Sequence, residues 1–340
     1  MAKSRQSYLE NKSPSHHQFG ISELIETGQY QADYMLVAPS KKVKSRVLKM
    51  LSLIPVWIKA YIKARKYDIV YGAADFTVDF MGMMKKLGLF RPTLITIFHH
   101  PPFNLRFKLA KYDKVLFLSE FSCNEMKLDF PKKSHLFEFM QWGPDLQFYK
   151  KYAAKPNYEN IGNELVFISN GKTHRDHEIL VNAAENAECK TIVVCDEASV
   201  PANYDKNKCS YTEMYFQNKP DDTKMVQLLT SCSVLVVPTF PSEHRLGPIG
   251  LTSFVDVMAM GMPIITADNT VFTHIVTENN VGLVYKAGDV DDLCDKMRFF
   301  KENPEMVVVY GRNAYEFGQK NDAGKFACRL QEILNETDKK

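Results

Sequence analysis

Short apolar runs alternate with longer amphipathic segments along most of the chain. A continuous apolar run is typical of a strand that is buried on both faces of a parallel sheet. Apolar residues that recur every three or four positions predict the intervening helices. The predicted strands are Asp33–Val37, Tyr67–Gly72, Pro92–Phe98, Lys114–Leu118, Glu164–Ser169, Thr191–Cys195, Thr212–Phe216, Ser233–Val237, Pro263–Thr266 and Gly282–Tyr285. This alternation predicts an α/β protein with two doubly wound parallel sheets.

A glycine turn and a pair of cations follow the predicted strand Glu164–Ser169. Lys172 and Arg175 stand three residues apart, between Gly171 and the start of a helix. Two cations at that spacing suit a diphosphate, because they neutralise its charge and arginine can bind two of its oxygens at once. The alternative is an ordinary helix start with solvated charges, capped by Asp176.

A second candidate site follows the apolar run Ser233–Val237. Gly250 would let a phosphate approach the backbone closely. The helix predicted from Leu251 would direct its first N–H groups and the positive end of its dipole at an anion. Thr252 and Ser253 add hydroxyl groups in its first turn.

An acidic residue, Asp256, lies about one turn further along the same predicted helix. Its carboxylate could accept hydrogen bonds from the hydroxyl groups of a ribose. The alternative is an ordinary crossover helix that buries Phe254, Val257 and Met258.

The N-terminal residues Met1–Ser15 are polar, and we predict that they are irregular. His16, His17 and Gly20 follow, just before a helical pattern at Ile21–Glu26. The two histidines would either face an acceptor or lie in a solvated loop.

Two further histidines end the predicted strand Pro92–Phe98. His99 and His100 would lie at the carboxyl end of a parallel strand, where α/β proteins bind ligands. A purely structural role is the alternative for each of them.

The segment from Lys41 to Lys66 is basic and amphipathic. It carries nine Lys and Arg residues without one acidic residue, and apolar residues that include Trp57 interleave with them at roughly helical spacing. Such a segment is typical of helices that lie on an anionic membrane surface. The alternative is a domain helix with its apolar face on the core and a solvated basic face.

The residues from Gly250 to Ile265, GLTSFVDVMAMGMPII, resemble the donor-binding helix of GT-B glycosyltransferases, above all the retaining family 4 group. Asp256 takes the place of an acidic residue of that family. Pro248 stands where the family has an earlier glutamate, and Glu243 is a candidate substitute for it. The resemblance implies that the donor is bound by Gly171, Gly250, Leu251, Thr252, Ser253 and Asp256, with Glu243 as a further candidate.

The resemblance covers the chain from about Phe19 to Leu334. Lys172 and Arg175, after Gly171, match the pair that grips the donor pyrophosphate in this family. His99 matches the histidine that contacts the donor sugar, with His100 as its competitor. Together these matches imply that Lys172, Arg175 and His99 are catalytic, and that His100, His16, His17 and Gly20 lie on the acceptor or sugar side.

The family's architecture is GT-B, with two Rossmann-like domains that face each other across a cleft. Trp142–Phe148 resembles the segment that closes the N-terminal domain of these enzymes. We therefore expect an acceptor-binding domain over residues 1–150 and a nucleotide-sugar-binding domain over residues 160–318. A helix near residues 322–336 is expected to return to the N-terminal domain.

Composition narrows the class of protein. A formal charge of +3 over 340 residues gives no indication of nucleic-acid binding. The seven scattered cysteines favour buried thiols in a reducing compartment over disulfides or zinc. We identify no signal peptide, and no apolar run approaches the ~20 residues that span a bilayer. The expected location is the cytoplasm, with peripheral attachment to the inner face of a membrane through residues 41–66.

The resemblance implies transfer of a sugar from a nucleotide-diphosphate sugar, with a UDP-sugar favoured, to a hydroxyl acceptor with retention. The acceptor would be lipid-linked or a glycan precursor, as in polysaccharide biosynthesis. Neither a cofactor nor a metal ion is expected, since no carboxylate pair is placed to hold one and the two cations would stabilise the leaving diphosphate. Two alternatives remain, a GT-B sugar-nucleotide epimerase and a non-catalytic partner subunit. The basic segment disfavours the first, whereas Pro248 favours the second.

Overall fold

The computed structural model describes residues 2–38, 45, 48, 51–99, 109–159, 161–162, 164–171, 173–217, 221–242 and 247–338. The chain divides into two compact units, each built from separate stretches of sequence. The first unit comprises Met1–Leu9, His17–Gln141 and Phe326–Lys340. The second comprises Glu10–His16 and Trp142–Lys325.

Helices and strands alternate in both units. The strands are β1 Ile69–Gly72, β2 Thr93–Phe98, β3 Lys114–Phe117, β4 Phe137–Phe139, β5 Phe167–Ser169, β6 Thr191–Cys195, β7 Thr212–Phe216, β8 Val234–Val237, β9 Ile264–Ala267 and β10 Gly282–Tyr285. The α-helices are α1 Ala2–Leu9, α2 Ile21–Glu26, α3 Ile54–Ala64, α4 Asp79–Lys86, α5 Glu120–Asp129, α6 Leu146–Tyr152, α7 His177–Ala187, α8 Asp222–Leu229, α9 Leu251–Met260, α10 Thr273–Glu278, α11 Val290–Glu302, α12 Pro304–Lys320 and α13 Ala323–Asp338.

The first unit contains a four-stranded parallel sheet in the order β1-β2-β3-β4. The last five residues of β2, Leu94–Phe98, are buried, as expected for a strand inside a sheet that is covered on both faces. Strand β1 forms one edge of this sheet. The first unit therefore has the parallel α/β organisation predicted from the sequence.

The second unit contains a six-stranded parallel sheet in the order β10-β9-β8-β5-β6-β7. The chain enters it at β5, extends to β7 on one side and then returns to β8 on the other side of β5. Strands β5 and β8 are thus neighbours at a reversal of strand order, and the loops after such strands form ligand sites in α/β sheets. This places the loops after Ser169 and Val237 side by side.

The boundary between the units lies between Gln141 and Trp142, which is before the expected boundary at residue 150. Asp145 caps helix α6, and its other carboxylate oxygen accepts a hydrogen bond from the Ser15 N–H at 2.8 Å. The Trp142 indole donates to the His16 carbonyl at 3.0 Å, and the Ser13 hydroxyl donates to Asp222 at 2.6 Å. These contacts hold the segments around Ser15 and Asp145 within the second unit.

Two local predictions in the first unit are wrong. Residues 33–37 form no strand, because side chains rather than a backbone ladder hold them: Asp33 pairs with Lys63 at 3.2 Å and accepts from the Tyr67 hydroxyl. The expected irregular N-terminus contains α1. Its Arg5 donates to the Ser22 hydroxyl at 2.9 Å, and its Tyr8 donates to Glu26 at 2.9 Å. Contacts distant in sequence thus stabilise a helix that local sequence does not favour.

The last helix meets the expectation of a returning segment. Helix α13 begins at Ala323 in the second unit, and from Phe326 onward its residues belong to the first. Gly20 has φ of 82°, and a Cβ there would lie 3.1 to 3.2 Å from Phe326, Ala327 and Leu330. A glycine at position 20 therefore lets α13 pack closely within the first unit.

The cysteines agree with the expectation of free thiols. All seven lie in the described part of the chain and none is paired there. Five of them are buried, where they pack as small apolar side chains.

Close backbone packing at Gly143 gives a test of the second unit. A Cβ at this position would overlap the carbonyl oxygen of Asn321. We expect Gly143→Ala to lower the free energy of unfolding by about 3 kcal/mol or more, since neither backbone can move without disturbing its neighbours. Denaturant unfolding measures this change. Gly162→Ala is the matched control, because its Cβ would meet nothing closer than 3.7 Å, and equal losses in both variants would contradict the packing at Gly143.

Candidate functional site

The first part of the site is the start of helix α9. Its N-cap, Gly250, has φ of 86°, and a Cβ there would lie 2.8 Å from Val237 and 3.1 Å from Phe272. The position therefore requires glycine for both its conformation and its surroundings. Thr252 is the one exposed residue of the helix, whereas Ser253 is buried. The Leu251 N–H donates to the Pro248 carbonyl at 3.2 Å, so Thr252 and Ser253 carry the first-turn N–H groups that could bind an anion.

The second part is the loop that follows β5. Gly171 has φ of 109°, and a Cβ there would lie 2.7 Å from the Arg175 guanidinium. The backbone of Arg175 pairs with Thr239 after β8, and the Asp176 N–H donates to the Pro238 carbonyl at 3.2 Å. The loops after the two neighbouring strands are thus fastened together, with Arg175 between them.

The guanidinium of Arg175 joins this loop to α9. It donates to the Asn170 carbonyl at 3.3 Å, to the Thr173 carbonyl at 3.2 Å and to the Ser253 hydroxyl at 3.1 Å. The Ser253 hydroxyl in turn donates to the Asn170 carbonyl at 3.2 Å. A single cation therefore sets the position of the loop relative to the first turn of α9.

Arg175 is a buried charge, with 8% of its surface exposed. Burial lowers its pKa to about 10, so it remains protonated at neutral pH. Among the described residues no carboxylate forms an ion pair with it, and its partners there are neutral oxygens. Burial, followed by the nearby Arg175 charge, lowers the pKa of His177 to about 4, so this imidazole is neutral. A buried cation without a carboxylate attracts an anionic ligand.

The third part of the site is the buried carboxylate of Asp256. It accepts a hydrogen bond from the Tyr149 hydroxyl at 2.6 Å and another from the Asn170 side-chain amide at 2.7 Å. Burial raises the pKa of Asp256 to about 7, against the opposing effect of these two donors. Both carboxylate oxygens therefore already have protein partners at the position expected to bind a ribose.

Sequence reasoning assigned no role to Asn170 or Tyr149. Asn170 immediately follows β5, and a polar residue at the carboxyl end of a parallel strand is a signal that could have identified it. Tyr149 lies 107 residues before Asp256 in the chain, and no local pattern links the two.

The structure separates the histidines that the sequence singled out. His16 is buried in the second unit, where its ring packs edge-on to Trp142 and its Nδ1 accepts from the Asp145 N–H at 3.2 Å. This enclosure corrects the expectation that it faces an acceptor, because protein contacts surround the ring. His17 and His99 belong to the first unit, as does Gly20.

His99 directly follows β2, as predicted. Its Nε2 bonds to the Ala73 carbonyl at 2.8 Å, and its ring packs edge-on to Phe19 with 5.5 Å between the centroids. Lys172, His100 and Glu243 lie outside the described residues, as does most of 39–50. The described parts thus bring together Gly171, Arg175, Gly250, Leu251, Thr252, Ser253 and Asp256 in the second unit.

Each of the two units contains a parallel α/β sheet, as in the GT-B fold. Residues 151–317 match the sequence profile of the family described as Glycosyl transferases group 1. This part of the chain is thus a glycosyltransferase domain, and the protein is a GT-B glycosyltransferase. No curated protein sequence matches the chain.

Solved structures of low sequence identity share the fold over nearly the whole chain. Sucrose-phosphate synthase from Thermosynechococcus elongatus is similar with a TM-score of 0.68 and 15% identity, over 94% of this chain and 91% of that one. Anabaena HepE in complex with UDP-glucose gives 0.66 and 16%, over 93% and 88%. WaaG, a glycosyltransferase involved in lipopolysaccharide biosynthesis, gives 0.63 and 11%, over 93% and 94%.

The raised pKa of Asp256 makes stability depend on pH. The folded protein keeps the proton on Asp256 up to about pH 7, whereas the unfolded chain releases it near pH 3.8. The protonated carboxyl group therefore contributes its full stabilisation below about pH 4. This stabilisation is lost as the pH rises through about 7. Wild type should lose up to about 4 kcal/mol of unfolding free energy over that range. Asp256→Asn, which mimics the neutral acid, should show a smaller loss in urea unfolding at a series of pH values.

The exposed Asp291 provides the matched control for this measurement. Asp291→Asn should keep the pH dependence of wild type. If the unfolding free energy of Asp256→Asn depends on pH as strongly as that of wild type, the Asp256 carboxylate does not bind the extra proton.

Proposed function

We propose that the protein transfers a sugar from a nucleotide-diphosphate sugar to a hydroxyl acceptor, with retention of configuration and without a metal ion. The observation that carries the proposal is the buried Arg175 cation, which has no carboxylate partner among the described residues and lies beside the first turn of α9. The glycosyltransferase group 1 match over residues 151–317 supports the same class of reaction. A UDP-sugar is the favoured donor, since a structural neighbour of this chain binds UDP-glucose.

Arg175 and the start of α9 would act on the leaving diphosphate. As the bond between the sugar and the diphosphate breaks, negative charge grows on the diphosphate oxygens. The fixed guanidinium and the N–H groups of α9 are already oriented, so they stabilise that charge without reorganisation. Lys172, which follows Gly171 in the sequence, would supply a second positive charge. These groups would perform the charge neutralisation that a metal ion performs in other transferases.

A membrane-bound or lipid-linked acceptor is supported by the exposed face of helix α3. Ile54, Ile58 and Ile62 lie four residues apart on this helix and are all exposed, Ile62 at 65%. Its core-facing side carries the small residues Ala60 and Ala64. These three isoleucines thus point away from the core, whereas Val56, Trp57 and Tyr61 of the same helix pack against it. No helix in the described part of the chain is long and apolar enough to cross a membrane.

Basic residues accompany the exposed isoleucines. Lys59, Arg65 and Lys66 are exposed, and Lys63 is half-exposed beside Asp33. Exposed apolar side chains with lysines and arginines around them suit the surface of an anionic bilayer. We therefore place the enzyme at the cytoplasmic surface of an anionic membrane, where lipid-linked or polysaccharide precursors are glycosylated.

A thermal-shift screen against UDP, GDP and CMP and their sugar conjugates tests the donor site. A ligand that binds only the native state raises its melting temperature, and we expect the largest increase with UDP or a UDP-sugar. Lys172→Ala with Arg175→Ala should weaken UDP binding by tenfold or more, because a charge-assisted hydrogen bond contributes about 1.5–3 kcal/mol. If the double variant does not fold, UDP binding is measured with Lys172→Ala alone.

Lys190→Ala is the control, since Lys190 is an exposed cation of the same unit. It should bind UDP as wild type does. Absence of a shift with every nucleotide would contradict the donor site, and binding without sugar transfer to any acceptor would favour a non-catalytic subunit.

Co-sedimentation with anionic vesicles tests the membrane surface. Ile54→Ser with Ile58→Ser and Ile62→Ser should reduce the bound fraction several-fold, because three apolar side chains that would enter the interface are removed. Leu9→Ser with Leu128→Ser and Val309→Ser is the matched control, since these are also exposed aliphatic residues and they lie outside α3. Equal binding of the two triple variants would refute the assignment of α3 to the membrane.

A further inference from the structure

The first unit contains a cavity of about 590 Å³ beside the edge strand β1. This volume lies in the range of sites that hold small ligands, about 300–1,000 Å³. Most of the side chains around it are apolar. Its walls include Ala60 and Ala64 of α3, Val78, Met81 of α4, and Leu330 and Leu334 of α13.

Two features of the first unit leave this space unfilled. Alanines at positions 60 and 64, one turn apart, leave room on the inner side of α3 where larger side chains would fill the core. The segment 31–38 crosses this region without pairing with β1 as a further strand. The cavity is partly open to the surface, so a ligand can reach its apolar walls.

The cavity extends along β1 and has polar groups at its two ends. Tyr67, with Asp33 and Lys63, lies at the end where β1 begins. His99 and Ala73 line the end where β1 finishes. About six residues separate Tyr67 from Ala73, which corresponds to roughly 20 Å of extended chain. The residues that line the cavity thus follow the whole length of β1, and polar groups lie near both ends of that strand.

The walls favour an apolar ligand. Most of the residues that line the cavity have no hydrogen-bonding side chain, so they would leave most hydroxyl groups of a sugar unsatisfied.

We infer that this cavity holds the apolar chain of the acceptor, so that the acceptor is a lipid with an acyl or isoprenoid chain and a hydroxyl-bearing head. The inference rests on the proposed function. The chain would enter from the bilayer past Lys63, and its head would lie near His99.

The two faces of α3 support a lipid over a water-soluble apolar molecule. The outer face presents Ile54, Ile58 and Ile62, and the inner face presents Ala60 and Ala64 to the cavity. One helix thus separates a surface suited to a bilayer from a space suited to a single chain. A lipid could move between them without exposing its chain to water.

Titration of the full-length protein with dansyl-undecanoic acid, whose fluorescence rises in apolar surroundings, tests the inference. Wild type should bind the probe saturably. Ala64→Trp, which fills the cavity, should weaken binding about tenfold or more. Leu128→Trp adds the same side chain at an exposed position that does not line the cavity, and it should bind the probe as wild type does. If Ala64→Trp does not fold, Ala60→Leu replaces it.

A UDP thermal shift measured on the same samples separates this inference from the proposed function. No saturable probe binding by wild type, with the UDP shift intact, would overturn the lipid site alone. Unchanged probe affinity in Ala64→Trp would likewise overturn it, because the probe would then bind elsewhere. If wild type shows neither saturable probe binding nor a UDP thermal shift, the proposed function is overturned as well. Competition by an isoprenyl phosphate but not by an aromatic alcohol is the further result expected for a lipid chain.

Discussion

The candidate donor site depends on one positive charge that the fold removes from water. A buried guanidinium is costly unless polar groups replace its hydration, and Arg175 has two carbonyl oxygens and one hydroxyl in that role. None of these neutral partners cancels the charge. The geometry around it follows from this requirement: Gly171 leaves space for the guanidinium, and Ser253 brings the first turn of α9 to it. The protein thus gives up stability to keep a charge ready for an anionic ligand.

Asn170 links this cation to the buried acid. Its carbonyl accepts from Arg175 and Ser253, and its side-chain amide donates to Asp256. The two charged groups respond differently to pH, since the pKa of Arg175 is about 10 and that of Asp256 about 7. The net charge around Asn170 therefore becomes more positive as the pH falls through neutrality, and the attraction for a diphosphate increases with it.

The parallel sheets were predictable because their strands are continuous apolar runs. Gly282–Tyr285 and Thr191–Cys195 coincide with β10 and β6. Gly250 and Gly171 were identified as glycines of the two candidate anion sites, and both have positive φ. The short strand β4 and the helices α6 and α12 were not predicted, and α1 was predicted to be irregular. Their positions depend on partners distant in the chain, as Tyr8 does on Glu26 and Tyr149 on Asp256. Local patterns carry no information on such contacts.

The discontinuity of the first unit has a consequence for how the protein is made. During synthesis the ribosome releases residues 17–141 long before the last helix, yet Leu330 and Leu334 of α13 form part of the wall around the cavity. The second unit, by contrast, has all its residues once Lys325 has emerged. Synthesis from the N-terminus usually completes the N-terminal domain first. In this chain the second unit is complete before the first. The first unit to leave the ribosome is the last to be completed, and until then part of the wall around its cavity is missing.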